Sequence, residues 1–216
     1  MVISEFITFP RLTGVVLIAS FATFAIGGIL PIIGDQGNAR IFNLAVHEHL
    51  LAVADNASIW RWANGFMGAA AVVLLGGLSM LTTLLEAADG RLASRLGLVG
   101  WLVSAVLWVI FSVFRGTVSV HAAQELSTTG AAPAGYEPLA RWGFRLFYAS
   151  AAIGFLALAS YGGALLQTEL VPAWAGWATI FFCLALLVQL LITGDTLPAF
   201  HYVPPLMIGV LLLIHG

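Results

Sequence analysis

The sequence predicts an all-α fold: a polytopic membrane helix bundle of six transmembrane helices plus one interfacial amphipathic helix, forming a single integral membrane domain over residues 1–216. Two observations carry that prediction. Hydrophobic residues make up 61% of the chain and charged residues only 8%, where soluble domains carry roughly 25% charged residues. Apolar runs of about 20 residues, the length that crosses a hydrocarbon core, recur at about 12–33, 59–85, 96–119, 142–166, 171–193 and 197–214.

The first run begins after Pro10-Arg11 and ends Gly27-Gly28-Ile29-Leu30-Pro31 without a small-residue cleavage site, so it reads as a retained helix rather than a removed signal peptide. Residues 34–58 form a long, patterned connection. Asn38 is placed to cap a helix over about 38–54, in which Ile41, Phe42, Ala45, Val46 and Val53 supply an apolar face, as a helix lying on the bilayer surface requires. Trp60 and Trp62 mark the start of the second span and Trp142 the start of the fourth, where an aromatic belt forms. Each of these two spans opens on Arg-Trp, at Arg61-Trp62 and Arg141-Trp142, but two dipeptides do not establish an internal repeat.

Short connections at 86–95 and 167–171 alternate with longer ones at 34–58 and 120–141. Arg11, Arg91 and Arg95 sit on the short-loop face, and the other arginines on or near the opposite face. Those others are interspersed with Asp35, Glu48, Asp55, Glu125 and Glu137 and read as parts of folded structure. The short-loop face is therefore placed in the cytoplasm, with both termini inside, in the inner (plasma) membrane.

Composition excludes several function classes. The charged residues are 8 arginines, no lysine and 10 acids, for a formal net charge of −2; without a basic tract, neither nucleic acid nor polybasic docking to anionic lipid is expected. The missing lysine rules out a retinal or pyridoxal Schiff base. One cysteine, Cys183, supplies no intrachain disulfide, no CxxC pair, no CxxCH haem attachment and no cysteine-ligated iron–sulfur cluster. The ligands left are imidazole and carboxylate, which suit haem b or a divalent metal.

On this topology the ionisable residues His47, Glu48, His49, Asp55, Arg115, His121, Glu125, Glu137, Arg141, Arg145, Asp195 and His201 collect at one face. His121 and Glu125 are i, i+4 if the third helix continues past Gly116. With His201, and with His47 from the interfacial helix, they form the candidate metal or haem ligands; His121 and His201 would be the bis-histidine pair. His47 and His49 point about 200° apart on a helix, so at most one joins such a site. A second candidate group binds an anion or a partner: Arg115, Arg145, Arg141 and Asp195. Arg115 lies within the third span and Arg145 two turns into the fourth, where a guanidinium costs on the order of 2.5–3.5 kcal/mol at mid-bilayer and less near the interface. Glu137, Arg141 and Arg145 form one stripe at i, i+4, i+8, and Arg145 is expected to have an internal partner, Glu125, Asp195 or a bound anion. The plain alternative is a self-neutralising ladder with a snorkelling arginine.

Asp195-Thr196-Leu197-Pro198 reads as a cap followed by an N1 proline, with His201 in the first turn and Pro204-Pro205 interrupting the helix beyond it. An interrupted helix is tolerated in a membrane where it is buried in protein or lines a polar cavity, so Phe200-His201-Tyr202 is a candidate cavity wall. Gly65, Gly68, Ala69, Gly76-Gly77 and Gly162-Gly163 lie inside apolar spans and read as close helix packing, not phosphate binding.

Three functions compete, and no motif settles whether the protein is an enzyme. The first is a metal- or haem-binding redox protein or subunit of a membrane complex. The second is a transporter or binder of a small anionic or amphipathic molecule, which at six helices would call for a homodimer. The third is an accessory subunit that docks other membrane subunits.

The stretch Val171-Pro172-Ala173-Trp174-Ala175-Gly176-Trp177, then Pro204-Pro205 and the closing Leu211-Leu212-Leu213-Ile214-His215-Gly216, together with Arg11-Leu12-Thr13-Gly14 near the start, resembles a bacterial membrane-protein group known as domain of unknown function 4386. The resemblance covers the two ends. It implies six helices and no assigned activity, so it transfers no functional residues.

Overall fold

The computed structural model describes residues 8–34, 46–88 and 90–215. Among them are seven α-helices, one 3₁₀ turn and no strand: α1 Phe9–Gly34, α2 Val46–Asp55, α3 Ala57–Ala87, α4 Arg91–Thr129, α5 Tyr136–Leu166, α6 Ala173–Thr193, the turn Pro198–Tyr202 and α7 Val203–His215. Six stretches are long and apolar enough to cross a membrane: α1, α3, α4, α5, α6 and the turn with α7. The chain is thus a polytopic membrane helix bundle, as its composition requires. In α2, Leu50 and Val53 are buried while His47, Glu48, Leu51 and Asp55 are exposed, the amphipathic pattern expected of an interfacial helix. Its proposed cap Asn38 and the apolar residues Ile41, Phe42 and Ala45 lie outside the described residues.

Local chemistry sets where the helices stop. Gly130 and Gly194 hold φ of 77° and 68°, left-handed values that a side chain disfavours. Their N–H groups return to Leu126 O and Leu190 O, each at 2.9 Å, which satisfies carbonyls left open at the ends of α4 and α6. Without such a stop at Gly116, α4 runs 39 residues, roughly 58 Å at 1.5 Å per residue. It continues past the expected 96–119 span and carries His121 and Glu125 on its last turns.

The chain divides into two compact units. The first falls within Met1–Ala22, Ala71–Val106 and Tyr148–Gly216, the second within Thr23–Ala70 and Leu107–Phe147. In the first unit, backbones meet at glycines. A Cβ on Gly14 would lie 2.6 Å from Gly209 O, and one on Gly162 would lie 2.8 Å from Gly176 O, so α1 with α7 and α5 with α6 pack at distances only glycine permits. Leu74, Leu78, Leu81 and Leu85 form the buried stripe of α3 here. Beside it the Tyr161 hydroxyl donates to Leu78 O at 3.1 Å and lies 2.7 Å from Thr82 Oγ1.

The second unit is built on aromatic rings. Leu50, Val53, Trp60, Phe114, Val120, Leu126 and Tyr136 share one buried cluster. The Trp108 indole donates to Met67 O at 2.9 Å, and Phe111 stacks on Phe147 with centroids 5.6 Å apart. Gly27 packs against Ala63, where a Cβ would sit 2.8 Å from the carbonyl oxygen.

The expected glycine contacts therefore hold at Gly68, Gly77 and Gly162, whereas Gly65, Gly76 and Gly163 have nothing within 4 Å of an added Cβ. Neighbours in sequence should then respond oppositely. Gly162→Ala forces two backbones apart and should destabilise by roughly 1–3 kcal/mol. Gly163→Ala gains helix propensity and should stabilise by up to about 1 kcal/mol. Denaturation of both variants in one detergent checks the pair.

A cationic centre in the second unit

The helical period decides which way each side chain of α4 points. Ile110, Val113, Thr117 and His121, spaced three and four apart, are all exposed, so they mark the outer stripe. Phe111, Ser119, Ala122 and Leu126 are buried and form the inner stripe, and Arg115 falls on it, four residues from both Phe111 and Ser119. Its side chain is half-buried.

The Arg115 guanidinium lies 4.6 Å from the Trp60 ring centroid and 5.5 Å from that of Phe111, cation–π contacts worth about 0.5–2 kcal/mol each. Trp60 is fixed there by its own polar edge, since its indole N–H donates to Arg115 O at 3.1 Å. Behind that indole, Asn64 donates to Trp60 O at 2.8 Å. His49 of α2 stands edge-on to the same indole with centroids 5.1 Å apart. One turn along α4, the Tyr136 hydroxyl donates to Ser119 Oγ at 3.2 Å, and the Tyr136 ring stacks on Phe114 at 6.4 Å. Among the described residues no carboxylate lies within ion-pair distance of Arg115. The arrangement is a cation held against two aromatic rings, with no carboxylate partner among the described residues.

The other predicted residues of this unit face outward. On α5 the buried stripe is Tyr136, Ala140, Gly143 and Phe147, so the stripe one residue on, Glu137–Arg141–Arg145, is turned away from it. Arg141 pairs with Glu137, both exposed. Arg145 is exposed, and neither Glu125 nor Asp195 pairs with it. The expectation of an internal ion pair is corrected accordingly: the i, i+4, i+8 spacing gave the right stripe, but the small residues Ala140 and Gly143 mark the packed side. His121 lies 3.7 Å from Glu125, with side chains 79% and 41% exposed. His47 is exposed on α2.

His201 and Asp195 belong to the first unit. His201 is buried, its ring stacked on Phe155 with centroids 4.1 Å apart and planes within 8°. Nε2 lies 3.2 Å from Ala151 O and Nδ1 3.3 Å from Pro198 O, so both ring nitrogens face backbone oxygens. A metal or haem iron would have to displace one of them. Close by, Ser104 donates to Ser150 O at 2.8 Å and Ser150 to Ser104 O at 2.9 Å. Asp195 is exposed and accepts the Thr196 N–H at 2.8 Å. It does not cap the turn, whose N-cap position is Leu197. Pro204 and Pro205 do not break a helix either. They occupy the first turn of α7, where an N–H has no intrahelical partner to lose. Among the described residues no three of histidine, cysteine, aspartate or glutamate gather as a metal site.

Trp60, Phe111, Ser119 and Tyr136 complete the Arg115 surroundings; sequence reasoning singled out none of them as partners of Arg115, although the helical period offers a signal for two, since Phe111 and Ser119 stand four residues either side of it. Trp60 reads from sequence only as a belt residue.

Two substitutions separate surface from core. Arg145→Ala should change stability by no more than about 0.5 kcal/mol. His201→Ala, which empties a packed ring position and strips two carbonyl contacts, should cost roughly 2–4 kcal/mol. Unfolding in the same detergent measures both.

No family model, no curated protein and no solved structure matches the chain.

Proposed function

We propose that the protein binds or transports a small anionic or amphipathic molecule whose charged group is held at Arg115. The observation that supports this reading is a half-buried, inward-facing guanidinium flanked by Trp60 and Phe111 and lacking a carboxylate partner among the described residues. A cation in such surroundings is costly unless compensated, and aromatic faces compensate only part of its charge. Placement in the inner membrane with both termini cytoplasmic, and assembly as a homodimer or with other membrane subunits, belong to the same proposal. So does membership of the six-helix group that the two ends of the chain resemble.

A redox or metal function would start from His121 and Glu125, the two candidate ligands that stand on one stripe of α4. A visible absorption spectrum and elemental analysis of the purified protein test it. A haem band or stoichiometric metal that disappears in His121→Ala would move the assignment to that reading. A purely accessory role would instead leave Arg115 replaceable.

The direct test is thermal stabilisation of the purified protein by a panel of organic and inorganic anions. Arg115→Gln should weaken the stabilisation by about tenfold in apparent affinity, the loss expected on removing one charge-assisted contact, while Arg115→Lys should keep part of it. Stabilisation by anions that is identical in Arg115→Gln and the parent would remove the proposal.

A further inference from the structure

We infer that the ligand at Arg115 is a singly charged amphiphile, an oxyanion head on an apolar body, rather than a free inorganic anion; this rests on the anion-binding reading above. Arg115 is the one cationic side chain on the inner stripes of α3, α4 and α5 within the second unit, among the described residues: Arg61, Arg141 and Arg145 are exposed, and Arg141 is committed to Glu137. One positive charge balances one negative charge. A dianion such as inorganic phosphate would carry a surplus charge into apolar surroundings, which is strongly unfavourable without further partners.

The surroundings of the guanidinium are mostly apolar. Trp60 and Phe111 lie against it, and Phe114, Leu50 and Val53 belong to the same buried cluster as Trp60. Of the polar groups nearby, the hydroxyls of Ser119 and Tyr136 are already bonded to each other at 3.2 Å, Asn64 donates to Trp60 O, and the His49 ring stands edge-on to Trp60. A fully hydrated anion would lose most of its water here and recover one guanidinium fork. A head group with an apolar remainder loses less, because the remainder gains from the same surroundings. Ile110, Val113, Trp142 and Phe144 are exposed apolar residues of the same unit; they lie on stripes other than that of Arg115, so only a ligand body long enough to emerge from the unit meets hydrocarbon there and not water. A carboxylate or a phosphodiester meets these conditions; the first would come from a single-chain acid and the second from a bilayer lipid.

The experiment uses the full chain in phosphatidylcholine nanodiscs and reads quenching of tryptophan emission by bromine, which acts over short range. Trp60→Phe defines the share of the signal that belongs to Trp60. Dibrominated stearate and phosphatidylglycerol with brominated chains are added separately, and the methyl ester of the dibrominated stearate serves as the uncharged control. The expected result is quenching of the Trp60 share by at least one charged probe, about tenfold weaker with the ester. The same loss is expected in Arg115→Gln, with most of the signal kept in Arg115→Lys and no change in Arg61→Gln. Quenching of the Trp60 share that is lost in Arg115→Gln assigns a single-chain acid when only stearate gives it and a lipid head group when the glycerolipid gives it; either supports the inference. Quenching equal for acid and ester overturns it. If inorganic phosphate stabilises the parent but not Arg115→Gln while neither amphiphile quenches, the amphiphile inference fails and the anion reading stands. If nothing tested depends on Arg115, both fail.

Discussion

Hydrocarbon offers no hydrogen bonds, and that constraint governs the whole chain. Each backbone N–H and C=O must be paired within the protein, and a helix does so within its own segment. Once formed, those helices gain little from burying apolar surface against each other, since lipid tails are equally apolar. What remains is close contact and the few polar groups the spans carry. The first unit uses both. Gly14 with Gly209, and Gly162 with Gly176, let backbones touch, and Tyr161 bonds to Leu78 and Thr82 of α3. A hydroxyl in a span otherwise left open finds a partner on the next helix, and the helices are held in register by it.

The same constraint falls hardest on charge. In the second unit Trp60 answers it in two ways at once: its π face lies over the Arg115 guanidinium, while its N–H bonds to the carbonyl of that same arginine. The ring is thereby fixed in position and orientation against the residue it screens. Aromatic faces attract a cation without neutralising it. The net charge stays with the site, and that residual charge is what the proposed binding role of Arg115 rests on.

Most of the fold was legible because span length and apolar run are one-dimensional quantities. The six spans and the amphipathic character of α2 follow directly from them, and the extension of α4 to His121 and Glu125 follows from the lack of a stop at Gly116. Azimuth was harder. Spacing places Glu137, Arg141 and Arg145 on one stripe but does not say which way the stripe turns; Ala140 and Gly143 carried that information, because packed helix faces favour small residues. Turn chemistry was harder still. Asp195 and Pro198 match a cap-and-proline pattern, yet Asp195 bonds to the adjacent Thr196 N–H and leaves Leu197 at the N-cap. The pairing of Trp60 with Arg115 joins residues 55 positions apart, and no local pattern announces it.

Arg115 and Arg145 show how far azimuth outweighs depth. Each sits within an apolar run, and by depth alone each invites a buried partner. Arg145 lies on the outer stripe of α5, where a long side chain can carry its charge toward the interface while its methylenes stay against the helix. Its position is solved by flexibility and asks nothing of its neighbours. Arg115 lies on the inner stripe of α4 between Phe111 and Ser119, packed against two rings that limit where its charge can go. Its position is solved by fixed neighbours. A flexible charge adapts to whatever surrounds it, whereas a fixed one presents the same donors in the same place each time. Only the second arrangement has the preorganisation that recognition requires.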